Sequence, residues 1–367
     1  MKVHVPDHIR TLVPYPPGKP LEELEREYGI SGSIKLASNE NPWGPSPKAV
    51  EAISKALAGL HRYPDGSCYY LNQALAEKLG MQSEQIVLGN GSNEIIGFLI
   101  TAFLSPGEEV ITSHPSFLMY QKFVQVQGGV NRVVELKNMR HDLEQILAEI
   151  NGKTRLIFLD NPNNPTGSII GPAEFDDFLQ RVPDQVIVVL GEAYVDFVSP
   201  EQRIDVISYI NSARPVVSLR TFSKAYGLSG LRLGFGIMAG ELADYLHRVR
   251  QPFNVNSLAQ IGGLAALADE EHYQKTLNMT REQKDWLMGA VTDLGCRPVD
   301  SHTNFFLIDV GGNAKELYEH MLTQGVIVRP MQAYGYPDYI RITVGVPEEN
   351  ERFVKALSTA RRELGYG

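Results

Sequence analysis

The chain reads as a doubly wound α/β protein: a mostly parallel, seven-stranded sheet sandwiched by helices, followed by a smaller α+β unit. Three observations predict this. From Ser83 onward, short apolar β-branched runs alternate with longer helix-patterned stretches. Several of those runs are almost wholly apolar, as parallel strands covered on both faces require. The pattern then changes after about Gln251 to long helices and a few late strands.

In order along the chain, residues 1–30 form a Pro-rich arm with a charged helix at Leu21 to Tyr28. Residues 31–250 hold the sheet, with strands expected at Gln85–Leu88, Glu109–Thr112, Asn131–Leu136, Leu156–Leu159, Val186–Leu190, Val216–Leu219 and Leu233–Met238. Residues 251–367 form the second unit, opened by one long helical region, Gln260–Leu294. Its strands are expected at Asn304–Val310, Val326–Arg329 and Tyr339–Val344, and its helices at Ala314–Thr323 and Glu348–Leu364.

Composition narrows the function classes. With 43 Asp+Glu against 34 Lys+Arg the formal net charge is -9, which gives no broad footprint for nucleic acid or an anionic membrane. At 43% hydrophobic and 21% charged residues, the chain is ordinary globular material rather than a disordered one. Cys68 and Cys296 alone make neither a disulfide framework nor a cysteine zinc site. The nine histidines lack the paired spacing of a helical zinc site, so no metal is expected. No apolar stretch approaches the roughly 20 residues of a membrane span, and the N-terminus lacks a signal-peptide core. A cytoplasmic protein is expected.

Four segments at strand ends carry candidate chemistry. In Thr221–Gly236, Lys224 follows an apolar strand beside Ser223, with Arg232 eight residues on. A partly desolvated lysine there can form a Schiff base, and a hydroxyl with an arginine suits a phosphate dianion. A solvated surface lysine fits the same letters. Gln85–Glu94 runs through Gly89-Asn90-Gly91 into a helix whose first N–H groups make an anion site. It lacks the dinucleotide and P-loop endings, and a plain βα turn also fits. Asp160-Asn-Pro-Asn-Asn-Pro-Thr-Gly167 is a polar loop after an apolar strand, where such sheets bind ligands. Val186–Asp196 brings further polar residues to the same edge.

Together, in this order, these segments resemble the fold-type I pyridoxal-phosphate (PLP) aminotransferases. The resemblance covers nearly the whole chain. Within the group, Pro14–Pro20, Lys35–Pro47, Arg62-Tyr-Pro-Asp65 and Arg341-Ile-Thr-Val-Gly345 are similar to the histidinol-phosphate aminotransferase subfamily. The resemblance implies PLP as cofactor, held covalently by Lys224. It implies that Ser92, Asn93, Ser223 and Arg232 bind the phosphate, Phe117 stacks on the ring, and Asn164 and Tyr194 meet its phenolic oxygen. Tyr63 would reach the phosphate of a partner subunit, so a homodimer with shared sites is expected. Tyr15, Arg329 and Arg341 would form the substrate end. The implied reaction is amino transfer between histidinol phosphate and 2-oxoglutarate, in histidine biosynthesis, yielding imidazole acetol phosphate and glutamate. Aromatic-amino-acid aminotransferases and threonine-phosphate decarboxylases share the Lys224 and Arg232 pattern and are the alternatives.

One position departs from the family. Its strand ends Asp-Glu-Ala-Tyr, and that aspartate pairs with the pyridine nitrogen; this chain reads Gly191-Glu-Ala-Tyr194. An impaired enzyme is therefore a further expectation. Glu192 is a doubtful replacement, because neighbouring strand residues point to opposite faces.

Overall fold

A computed structural model describes residues 3–14, 19–212 and 214–366. Strand β1 (Ile34–Lys35) precedes the seven strands of the main sheet: β2 (Ile86–Asn90), β3 (Glu109–His114), β4 (Val130–Glu135), β5 (Thr154–Asp160), β6 (Ile187–Gly191), β7 (Val216–Thr221) and β8 (Leu233–Ile237). Their spatial order is β2-β8-β7-β6-β5-β3-β4. Only β8 runs against its neighbours, pairing antiparallel with both β2 and β7. All seven expected strands form.

Alternation along the central strands divides the core in two. Ile157, Leu159, Val188 and Leu190 pack in one cluster, while Phe158, Val189 and Tyr120 pack in another on the opposite face. Both faces are covered by helices, which is why these strands read as continuous apolar runs. Their carboxyl ends open onto a crevice, the position where open α/β sheets bind ligands.

The C-terminal part contains β9 (Arg297–Pro298), β10 (Phe305–Asp309), β11 (Val326–Ile327), β12 (Arg329–Pro330) and β13 (Tyr339–Thr343). Four of these form an antiparallel sheet in the order β12-β13-β10-β9. Strand β11 instead pairs in parallel with β1, and Leu36 joins the C-terminal core. The expected run Val326–Arg329 is thus split between two sheets.

The expected single helical region Gln260–Leu294 is two helices, Ser257–Leu267 and Glu270–Asp293. Asp269 breaks it: its carboxylate accepts a hydrogen bond from Ser46 and lies 3.1 Å from Lys48 Nζ. That attachment draws the backbone out of helical geometry (φ -99, ψ 67). No helix among the described residues is long and apolar enough to cross a membrane.

Candidate active site

A cavity of about 520 Å³ opens where β5, β6 and β7 end, closed from the other side by Ala37–Glu40 and the C-terminal sheet. Of the described residues lining it, Lys224, Arg232, Arg329 and Arg341 are cationic, against Glu40 and Asp160. A cation-rich cavity in an acidic protein is a local device for an anionic ligand.

Its first part is a cradle of backbone. Gly91 precedes the twelve-residue helix Ser92–Phe103 with φ 79, and Ser92 opens that helix, so free N–H groups and the positive end of the helix dipole face the cavity. Strand β8 passes very close. A Cβ at Gly234 would fall 2.2 Å from Ser92 N, and one at Gly91 would fall 2.5 Å from an Arg232 guanidinium nitrogen. Arg232 reaches this place from a left-handed backbone (φ 58), a strained conformation for a side chain of its kind. Ser223 lines the same wall.

Lys224 follows β7. Its Nζ donates to the Ser38 carbonyl (3.2 Å) and lies 5.7 Å from the centre of the Tyr194 ring. Burial, reinforced by the charges of Arg341 and Arg232 and partly offset by Glu40, brings the amine down from 10.5 to about 8. An amine in that range has a usable neutral fraction near neutral pH.

The second part comes from the C-terminal sheet. Arg329 and Arg341 are register partners on β12 and β13 and both line the cavity. Arg341 donates to Asn164 Oδ1 and to the Ala37 carbonyl (2.9 Å), with its guanidinium 5.1 Å from the Phe305 ring centre. Two guanidiniums on adjacent strands form a fork for a phosphate or carboxylate. Tyr194 Oη accepts from Asn39 Nδ2 (2.9 Å), and burial pushes this phenol up.

Ten of the sequence-predicted residues therefore meet in one cavity: Ser92, Asn93, Phe117, Asn164, Tyr194, Ser223, Lys224, Arg232, Arg329 and Arg341. Tyr63 is not among them; it is 82% exposed and stacks on Phe253 (4.9 Å). Tyr15 lies outside the described residues. Glu192 faces the other side of β6, where it accepts from Ser218 Oγ and Arg220 Nε (3.0 Å). Asp196 accepts from Tyr273 Oη (2.6 Å) instead of turning to the cavity.

Sequence reasoning missed Asn39 and Tyr120 as cavity residues, and carried Asp160 only as part of the Asp160–Gly167 loop, with no role of its own. Asn39 holds a left-handed φ of 54 and accepts from Thr343 Oγ1 (3.2 Å). Its place in the quoted Lys35–Pro47 segment was the only available signal.

The sequence profile of the family Aminotransferase class I and II matches residues 31–357. The chain belongs to that family. This aminotransferase is 61% identical to the histidinol-phosphate aminotransferase of Desulfotalea psychrophila, the match covering 100% of this chain and 97% of the relative. It is 46% identical to that of Moorella thermoacetica, over 95% and 91% of the two chains. Among solved structures, the histidinol-phosphate aminotransferase of Sinorhizobium meliloti in complex with pyridoxal-5'-phosphate superposes with a TM-score of 0.90. That match has 28% identity and covers 98% of this chain and 97% of the other. An aspartate aminotransferase from Thermus thermophilus, at 22% identity and a TM-score of 0.82, shares the fold.

The residues present fit PLP. The cradle of Ser92 N–H, Ser223 and Arg232, closed by backbone to any Cβ at position 234, suits a dianion, and the buried amine of Lys224 stands within the same cavity.

Proposed function

We propose that this aminotransferase exchanges an amino group between histidinol phosphate and 2-oxoglutarate, the step that histidine biosynthesis requires. The observation that carries the reading is the presence of two separate anion sites sharing one lysine. Arg232 and the helix start form one, and Arg329 with Arg341 forms the other; the charges of Arg232 and Arg341 both act on Lys224. A phosphorylated cofactor takes the first and a phosphorylated substrate the second. In the other half-reaction, the same arginine fork takes a carboxylate of glutamate or 2-oxoglutarate. The full-length similarity to histidinol-phosphate aminotransferases supports this choice over phenylalanine or phosphothreonine.

In this reading Ser92, Asn93, Ser223 and Arg232 would hold the phosphate of PLP, Phe117 would pack on its ring, and Tyr194 and Asn164 would bind its phenolic oxygen. When bound, PLP supplies an electron sink for the carbon that loses its proton. Lys224 Nζ would take that proton from the amino-bearing carbon and hand it on to the cofactor's side of the transferred nitrogen, a role its lowered pKa of about 8 suits. The fork fixes the substrate's far end so that this carbon faces Nζ.

The site is completed in a cytoplasmic homodimer. Leu57, Leu60, Tyr63, Tyr69, Tyr70 and Phe253 are all exposed on the single chain, large apolar side chains of the kind that a second copy covers. Tyr63 then reaches the partner's phosphate cradle. Sedimentation that finds only monomer at working concentrations overturns this part of the reading.

The reaction is tested by mixing PLP-loaded protein with histidinol phosphate and no keto acid. Conversion of the bound cofactor to its amine form, faster than with phenylalanine or phosphothreonine, is the expected result. An unchanged spectrum means that the substrate is another.

A further inference from the structure

One buried carboxylate faces the cavity without a part in the reaction above. Asp160 ends β5, is 4% exposed and lines the cavity. Its register partner at the end of β6 is Gly191, which lines the cavity too. Partners in parallel strands present side chains to the same face. The face here is the one on which Phe158, Val189 and Tyr120 pack.

Glycine at 191 leaves a space that Tyr120 fills. A Cβ built at Gly191 falls 2.2 Å from Tyr120 Oη and 3.5 Å from Asp160 Cβ. Tyr120 is buried and held by two rings, stacked on Phe158 (4.6 Å) and edge-on to Phe117 (5.5 Å). Burial and the nearby Asp160 charge push its phenol up, so it stays a neutral hydroxyl.

Asp160 is placed as an acceptor. Its carboxylate accepts from Asn163 Nδ2 (3.1 Å) and Asn164 N (3.0 Å), and His141 Nε2 lies 3.3 Å from Oδ1. Behind that ring, Ser113 Oγ is 2.7 Å from His141 Nδ1. Two oxygens carry about four lone-pair sites, so capacity toward the cavity remains. Two other carboxylates nearby are engaged elsewhere, Glu192 with Ser218 and Arg220 and Asp196 with Tyr273, while Glu40 lines the cavity where its charge acts on Lys224.

We propose that Asp160, on the strand next to β6, is the counter-charge that keeps the ring nitrogen of PLP protonated in this chain, with Tyr120 occupying the space of a residue-191 side chain. An anion beside a buried pyridinium favours the charged form. Register makes the exchange feasible, because positions 160 and 191 address the same volume from adjacent strands. This inference rests on PLP being the cofactor.

The test is the nitrogen resonance of ring-labelled ¹⁵N-PLP bound to the protein, together with PLP affinity of the apoprotein. The wild type is expected to show a protonated ring nitrogen. Asp160→Asn shifts the resonance toward the unprotonated position and weakens PLP about ten- to hundredfold, the worth of one hydrogen bond to a charged group. Moving the carboxylate across, as Asp160→Asn with Gly191→Asp and Tyr120→Phe to make room, restores the protonated resonance, which a merely structural role does not predict. Asp160→Ser, whose hydroxyl still accepts from Asn164 N, serves if the first variant does not fold. An unprotonated nitrogen in the wild type overturns the proposal. So does a folded Asp160 variant with an unshifted resonance, or a shift produced by Tyr120→Phe alone. Failure of the wild type to bind PLP at all would instead sink the cofactor reading.

Discussion

The phosphate cradle and the β5–β6 floor belong to one cavity but are built from different material. The cradle rests on backbone: Gly234 passes so close to the Ser92 main chain that no side chain fits there, and Gly91 holds a φ of 79 that side chains rarely adopt. The floor is side chains: Asp160, Gly191 and Tyr120 share a volume that any of three strand or helix positions can fill. A backbone-built half admits almost no substitution. A side-chain-built half can move its charge one strand over and keep its shape. The family departure at Gly191 falls in the half that can absorb it.

The largest expected effect touches both halves. Lys224→Ala should lower turnover of histidinol phosphate by a factor on the order of 10²–10⁴, the range for loss of a general acid–base. A variant retaining full turnover would remove Lys224 from the chemistry. Gly234→Ala should strike the cradle alone, costing roughly 1–3 kcal/mol through a clash with Ser92 N. Denaturant melting of the apoprotein measures it; an unchanged midpoint would show the cradle to be more yielding than its geometry implies.

Arg329→Met should raise KM for histidinol phosphate about ten- to hundredfold, with a smaller change in kcat. Steady-state kinetics decides, and an effect confined to kcat would place Arg329 outside substrate binding. On the floor, Gly191→Ala should destabilise by about 1–2 kcal/mol. Adding Tyr120→Phe should relieve most of that, since the clash is with Oη. Thermal melts of the single and double variants make the comparison, and a double variant no more stable than Gly191→Ala would mean that something other than Oη resists the methyl.

The smallest effect is a pH dependence. Lys224 titrates at about 8 in the fold and at 10.5 as the ordinary value. Between these pH values the unfolded chain binds the proton more, so this group adds stability as pH rises from about 8 to 10.5. Amine labelling of Lys224 in the apoprotein should accordingly rise through a midpoint near pH 8, and a midpoint near 10.5 would show the amine to be freely solvated.

The sheet was legible because its strands are buried on both faces and spell themselves in runs such as Leu156–Leu159 and Val186–Leu190. Lys224, Ser223 and Arg232 were legible because they lie within ten residues of each other. What escaped was pairing across the chain. The two-residue strands β1 and β11 carry no pattern of their own, and Asp269 leaves its helix for Ser46 and Lys48, more than two hundred positions away. Asp160 read as the first residue of a loop, yet it is the last residue of a strand aimed at the cavity. Nothing local to either residue reveals that Asp160 and Gly191 are partners.

Asn39 has a consequence for how the protein is made. Its backbone N–H donates to Thr343 Oγ1 (2.9 Å), its carbonyl accepts from Asn304, and its side chain reaches Tyr194 in the cavity. The first of these contacts joins residues 304 positions apart. On the ribosome, residues 31–250 can emerge and begin to fold while the Asn39 backbone still lacks its partners Asn304 and Thr343. The wall of the cavity closes only when β13, near the end of synthesis, arrives to clasp the segment made first. A nascent chain released before Arg341 and Thr343 would carry the cradle and the lysine but only half a site. Stalled or truncated products should thus expose the cavity to solvent and to proteases, and the finished chain alone should hold it shut.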